Sequence, residues 1–261
     1  MHLAHHSVGN GPPVLLIHGG AEDATMLTGQ AHAIAAHGRR VIWYDRRGTG
    51  DSTRADWPGS GADQHADDAA ALLRELDAVP ATVLGFSSGG VVALAVAARH
   101  PGVVTEVIAW EPPVVAMLPG AEQLRTALHE PYERHLRDHP DDWRGAYQVL
   151  LHTLSQGRAD LDSPIVKQAE ANAEAILRDD GPLITARVFA PGELPADRVV
   201  IALSETPDPL HQAIADRLAQ LTGKAPVTVD GAGTHEVYLE SPEVIADFLR
   251  ARQELRPSGR E

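Results

Sequence analysis

ATVLGFSSGGVVALAVAAR, residues 81–99, is the stretch whose reading decides the fold. It begins as a short apolar strand (Ala81–Leu84), passes a tight turn (Gly85-Phe86-Ser87-Ser88-Gly89-Gly90) and continues as a helix rich in small residues (Val91–Arg99). The turn has the form G-x-S-x-G with Ser87 at its centre. A serine at the tip of a sharp strand-to-helix reversal takes a strained backbone conformation. The reversal brings the residues two before and two after it together, where a Cβ would clash, and Gly85 and Gly89 stand there. Ser88 is out of register for a nucleophile, because Phe86 precedes it by two. Its useful group is its backbone N–H, which opens the helix and points toward developing negative charge. Alone, the pattern also fits a glycine-rich turn that holds a phosphate or nothing, so the rest of the chain has to choose.

Outward from this unit the chain alternates strand and helix. Before it come a weak edge strand in His2–Val8, a buried strand Val14–Ile17 ending in His18-Gly19-Gly20, a helix over Ala24–His37, a strand Arg40–Tyr44 and a helix over Gln64–Ala78. After it come a strand Val103–Trp110, stopped by Glu111-Pro112-Pro113, and then a change of texture. From 114 to 195 no strand pattern appears, and helices are expected near 121–137, 141–156 and 163–178. Alternation returns with a strand Arg198–Leu203, a helix Leu210–Leu221, a strand Pro226–Val229, the loop Gly231-Ala232-Gly233-Thr234-His235 and a helix Pro242–Arg252; the tail Pro257–Glu261 reads as frayed. This order predicts an α/β fold with a doubly wound, mostly parallel sheet. Its core is residues 1–112 and 196–261, with 113–195 inserted as a helical unit.

The totals narrow the function. Of 261 residues, 43% are hydrophobic, enough for a large core, and the net charge of −14 with no basic patch argues against a nucleic-acid partner. The absence of cysteine excludes disulfides and thiolate chemistry. The start MHLAHHSVGNGPP lacks the basic and apolar regions of a secretion signal, and no apolar run reaches the roughly 20 residues of a membrane helix, so a cytoplasmic protein without membrane association is expected.

A serine needs a base to act as nucleophile. Of 14 histidines, His235 has the right setting, in a glycine-rich loop after a strand and before the last helix. In an open α/β sheet reactive groups gather at the carboxyl ends of the strands, where Ser87 and His235 both fall. A zinc site is not expected, because His235-Glu236 opens an H-E-x-x-H pattern whose fifth position is Leu239. The base needs a carboxylate to fix its tautomer. Asp208, past the Arg198–Leu203 strand, is the first choice, in the chain order Ser87, Asp208, His235. Glu111, at the end of the strand after the elbow, and Glu205 are the alternatives. Asp208 also suits a plain structural role, as the acid opening the next helix. An oxyanion would be held by the Ser88 N–H and by an N–H from the loop carrying Gly20.

Taken together, PPVLLIHGG (12–20), VIWYDRRGTGDS (41–52), GFSSGGVVALAVAARHP (85–101), the DPL at 208–210 and GAGTHEVYLESPE (231–243) resemble the α/β-hydrolase family, in family order. The resemblance implies a serine nucleophile at Ser87, a base at His235, oxyanion donors at Gly20 and Ser88, and a lid formed by residues 113–195. It implies a structural role for Asp45, Arg46, Gly48, Gly50 and Ser52. Ser87 stands where epoxide hydrolases and haloalkane dehalogenases of this fold carry aspartate. The expected reaction is hydrolysis of a small or medium ester, thioester or lactone, without cofactor or metal. The same triad would serve C–C bond hydrolysis or perhydrolysis, and a catalytically silent binding protein is the non-enzymatic alternative. The sequence specifies no oligomeric state.

Overall fold

The strands read as nearly continuous apolar runs because both faces of the sheet are covered. In the computed structural model, which describes residues 2–254, seven strands form one sheet: β1 (His5–Val8), β2 (Pro13–Ile17), β3 (Arg40–Tyr44), β4 (Ala81–Phe86), β5 (Val104–Trp110), β6 (Val199–Leu203) and β7 (Val227–Thr228). Their spatial order is β1-β3-β2-β4-β5-β6-β7; β1 runs antiparallel to β3 and every other pair is parallel. Successive residues of β2 serve opposite faces. Leu15 and Ile17 pack with helices α2 (Ala62–Glu75), α3 (Ser88–Arg99) and α8 (Pro209–Thr222), whereas Val14 and Leu16 pack with α1 (Thr28–Ala35) and α10 (Pro242–Glu254). This is the doubly wound architecture expected. The frayed tail expected at Pro257–Glu261 lies outside the described residues.

Register aligns the reactive edge. Ile17 pairs with Gly85, Phe86 with Trp110, and Trp110 with Ala202. The residues that follow these strands, His18, Ser87, Glu111 and Ser204, therefore leave the sheet at one level. Among the described residues, no helix is long and apolar enough to cross a membrane.

Between β5 and β6 the described residues are helical: α4 (Ala121–Asp138), α5 (Trp143–Ser155), α6 (Pro164–Ala169), and α7 (Ala173–Ala175) running into a π-helical turn, Ile176–Ile184. Tyr132, Ala146, Tyr147, Leu150, Ala173 and Leu177 form a separate small core with Ala21 of the sheet domain. The single helix expected over 163–178 is broken. Asn172 turns aside to accept from Gly50 N–H (3.1 Å) and donate to Asp23 (3.1 Å), and the π-helical turn then drives Asp179 and Asp180 into the interior. Long-range polar contacts override local helical preference there.

Candidate active site

Chain reversal after β4 places Ser87 at φ 51°, ψ −122°, a conformation disfavoured for any residue with a side chain. The neighbouring glycines are required by contact. A Cβ on Gly85 would lie 2.1 Å from the Gly89 carbonyl oxygen, and one on Gly89 would lie 2.3 Å from that of Ile17. β4 runs two residues further than the sequence suggests, and α3 begins at Ser88 rather than Val91. Ser87 N–H donates to the Trp110 carbonyl (2.9 Å), which ties the elbow to the end of β5. The Ser87 hydroxyl makes no hydrogen bond to another described residue, His235 included; such pairs often tighten only with substrate.

His235 is held at both ends by consecutive residues of one strand end. Trp110 Nε1 donates to its backbone carbonyl (2.9 Å), and its ring Nδ1 lies 2.5 Å from Glu111 Oε2. The other oxygen of Glu111 accepts from Ser204 N–H (2.9 Å) and Ser204 Oγ (2.6 Å). Burial pushes the Glu111 carboxyl up, but the His235 bond and charge and the two Ser204 bonds outweigh it and hold the group at about 2. An ionised carboxylate only accepts, so His235 carries its proton on Nδ1 and presents a lone pair at Nε2. Burial disfavours the imidazolium, yet the bond and charge of Glu111 raise the His235 pKa above its ordinary value. Glu111 itself adopts φ 39°. Both Ser87 and Glu111 are thus non-glycine residues forced into positive φ.

The loop after β2 is clamped on every side but one. His18 is fully buried; Arg46 N–H donates to its Nε2 (3.1 Å), so its Nδ1 carries the proton and donates to the Gly19 carbonyl (2.8 Å). Burial, with the neighbouring Arg46 charge, holds His18 well below its ordinary pKa and hence neutral. Arg46 Nη2 also reaches the Gly19 carbonyl (3.0 Å), and Gly19 N–H donates to Glu22 Oε2 (2.8 Å). With the Gly19 peptide fully engaged, the next N–H, on Gly20, is left without a protein acceptor among the described residues, as is that of Ser88. The carboxylate of Asp180, from the helical segment between β5 and β6, sits beside both residues. It accepts from Ser88 Oγ (2.5 Å), and a Cβ on Gly20 would meet its Cγ at 3.6 Å.

The family model for the α/β-hydrolase fold matches residues 12–181, about two thirds of the chain and including the elbow and the loop after β2. The chain belongs to the α/β-hydrolase family. This chain is 40% identical over 120 residues to the uncharacterized hydrolase YraK of Bacillus subtilis (45% of this chain, 44% of YraK). It is 40% identical over 111 residues to a non-heme chloroperoxidase of Streptomyces lividans (41% of this chain, 39% of that protein). These matches span less than half the length of the curated relatives. In three dimensions it is similar to an esterase from Thermogutta terrifontis (TM-score 0.70, 23% identity, 97% of this chain and 93% of that one). A similar structure is Est816, described as degrading N-acyl homoserine lactones (TM-score 0.63, 22% identity, 95% and 96% covered). At these identities the likeness to the two structures is one of fold.

Asp208 is placed differently from the expectation. Asp208 caps α8, accepting from Leu210 N–H (2.8 Å) and His211 N–H (3.1 Å), and its second oxygen lies 2.5 Å from His211 Nδ1. The His211 hydrogen bond chiefly holds the Asp208 carboxyl at about 2. The structural role weighed for this residue is the one it has, and the partner of His235 is Glu111. Glu205 also leaves the ring alone: it accepts from Gly231 N–H (2.8 Å) and so supports the loop that carries His235. Ser204, which orients Glu111, escaped the sequence reading; a hydroxyl directly after a buried strand on the reactive edge is the signal that marks it. His211 stacks on His235 with ring centroids 4.8 Å apart. Glu111, His211 and His235 each bring a metal-ligating atom within 4.8 Å of the others, and they are the group among the described residues that does so. Within this cluster the Nδ1 atoms are engaged by carboxylates, that of His235 by Glu111 and that of His211 by Asp208. Asp45 does the structural work implied by the resemblance, accepting from Ala24 N–H (2.7 Å) and Asp51 N–H (2.8 Å).

Proposed function

We propose that this hydrolase cleaves a small or medium carboxylic ester, thioester or lactone through an acyl-enzyme on Ser87. Ser87 Oγ attacks the carbonyl carbon while His235 Nε2 takes its proton, and Glu111 stabilises the imidazolium so formed. The N–H groups of Gly20 and Ser88 receive the oxyanion. The imidazolium returns its proton to the leaving group; water then enters by the same route with His235 as base, and Ser87 is released. The reading rests on one observation above all: a serine at φ 51° with an uncommitted hydroxyl, on the same sheet edge as an imidazole oriented by a buried carboxylate.

Residues 113–195 act in this reading as the lid. Its inner side reaches the oxyanion loop through Ile176 and Asp180, and it is anchored by the buried pairs Arg46–Asp180 (2.7 Å) and His65–Asp179 (2.7 Å). Tyr147 and Leu150 belong to the small core that this segment forms with Ala21. The similarity to a non-heme chloroperoxidase supports a second use of the same acyl-enzyme, in which hydrogen peroxide replaces water as nucleophile and a peracid leaves.

A fluorophosphonate probe combined with a panel of p-nitrophenyl esters, thioesters and lactones tests the reading. Labelling and turnover that both vanish in Ser87→Ala, with the circular dichroism spectrum unchanged, are expected. A folded wild-type protein that neither labels nor turns over any member of the panel would rule it out in favour of a silent binding protein.

A further inference from the structure

Glu22 is a buried carboxylate that the mechanism above does not use, 7% exposed in the loop after β2. Its two oxygens make contacts that belong to different parts of the site. Oε2 accepts from Gly19 N–H (2.8 Å), next to the proposed oxyanion donor Gly20. Oε1 accepts from the Tyr238 hydroxyl (2.5 Å), in the short helix α9 (Val237–Glu240) that begins two residues after His235. Tyr238 in turn stacks on Phe86, the residue before Ser87, with centroids 4.1 Å apart and planes 13° apart, and stands edge-on to His235 at 6.4 Å. A single carboxylate therefore joins the oxyanion loop to the base loop, through a ring that also touches the elbow.

We propose that Glu22 is a positioning residue that, with Tyr238, sets the oxyanion loop at Gly19-Gly20 in register with His235. The proposal rests on the acyl-enzyme reading above. The attack geometry needs Gly20 N–H, Ser87 Oγ and His235 Nε2 in one arrangement, and misplacement by about an ångström costs up to roughly a hundredfold in rate. Nothing in the sequence links Glu22 to residues more than two hundred positions away; only the fold brings them together.

The carboxylate also lies in the field of the site. Facing it are Tyr238 and His235 from the base loop and α9, Arg46 from the loop after β3, and Tyr147 from α5. Burial pushes the Glu22 carboxyl up to about 7, against the hydrogen bonds from Tyr238 and Gly19 and the charges of His235 and Arg46. Ionised, it adds to the negative potential that favours the His235 imidazolium. Gln at this position is isosteric: its oxygen still accepts from Gly19, and its amide can donate to the Tyr238 oxygen, but it carries no charge.

The test compares E22A, E22Q and Y238F with wild type in kcat, KM and the pH dependence of kcat/KM, alongside the backbone amide resonance of Gly19 in a Ser87→Ala background. E22A should lower kcat roughly 10- to 100-fold with KM little changed, and Y238F should lower it less. E22Q should retain most of kcat while the acid limb of kcat/KM moves to lower pH, a shift that a purely structural contact would not produce. The Gly19 amide should move upfield in E22A. Wild-type kcat in both E22A and Y238F, or an unmoved Gly19 resonance in E22A, would overturn the proposal. If E22A does not fold, Y238F with wild-type kcat, or E22Q with an unmoved acid limb, overturns it as well. Wild type that neither labels at Ser87 nor turns over any ester sinks the acyl-enzyme reading, and the positioning role with it. The Gly19 resonance then still reports whether the hydrogen-bonded pair exists.

Discussion

Glu111 Oε2 and His235 Nδ1 lie 2.5 Å apart across 124 positions of sequence, and the carboxylate is only 1% exposed. The rival acid, Asp208, is 54% exposed and bonded to the neighbouring His211. A triad carboxylate has to be buried and fixed, because its task is to hold one tautomer and to stabilise a transient imidazolium. By that measure Glu111→Gln should reduce kcat by about three to four orders of magnitude. Asp208→Asn should leave kcat within a small factor of wild type and the helix cap in place, because asparagine caps a helix about as well as aspartate. Steady-state kinetics on one ester with both variants checks this; a dead Asp208→Asn beside an active Glu111→Gln would reverse the assignment.

The acid limb of kcat/KM should report His235. Below its pKa the imidazole is protonated and cannot accept the Ser87 proton, so activity is lost as pH falls. Because Glu111 raises that pKa, the limb in wild type should lie above the ordinary imidazole value of about 6.5. In Glu111→Gln the residual activity should show the limb displaced to lower pH, since the charge that favours the imidazolium is gone. A limb unmoved by this substitution would mean that another group controls it.

Glu22 makes a separate prediction about stability. Its folded pKa of about 7 exceeds the ordinary 4.5, so the native state binds a proton more tightly than the unfolded chain. Below pH 4.5 both states are protonated and nothing is lost. As pH rises through the folded value, ionisation in the buried site erodes stability, by about 3 kcal/mol once both states are ionised. Glu22→Gln removes this term while keeping the shape. Its urea midpoint relative to wild type should therefore rise between pH 5 and pH 8; a difference that stays flat with pH would contradict the shift.

How far the sequence reached depends on range. Gly85, Ser87 and Gly89 were legible because the elbow is a local object whose sterics act over four residues, and the strands were legible because burial on both faces leaves long apolar runs. The setting of His235, between a strand and the last helix, was legible from its loop. Its carboxylate was not, because both Glu111 and Asp208 follow strands at the same sheet edge, and choosing between them requires knowing where the loop of residues 231–235 lands. One local signal weighs against Asp208: Asp208-Pro209 is an N-cap followed by proline at the first helical position, a pattern complete without a catalytic role. The break in the helix expected over 163–178 was equally hidden, since the partners of Asn172, Asp179 and Asp180 all lie in the sheet domain.

The Arg46–Asp180 pair joins the sheet domain to the helical insertion, and both side chains are almost wholly buried, at 1% and 3% exposure. Burial raises the Asp180 pKa against the Arg46 charge and the Ser88 hydrogen bond, so the carboxylate depends on its partner. Removing one member leaves a buried charge uncompensated, which typically costs about 3–5 kcal/mol, while replacing both with apolar groups of similar volume is often neutral. Asp180→Leu should therefore be strongly destabilising, and Arg46→Met with Asp180→Leu should recover much of the loss. Asp180 also packs on Gly20 and bonds Ser88, so under the proposed mechanism the double variant should remain well folded yet turn over ester more slowly, because the two N–H groups proposed to hold the oxyanion lose this neighbour. A double-mutant cycle by urea denaturation, with kcat measured on the double variant, separates the two roles. Single and double variants of equal stability would show that the pair does not hold the insertion in place, and a double variant with wild-type kcat would show that Asp180 does not brace the oxyanion loop.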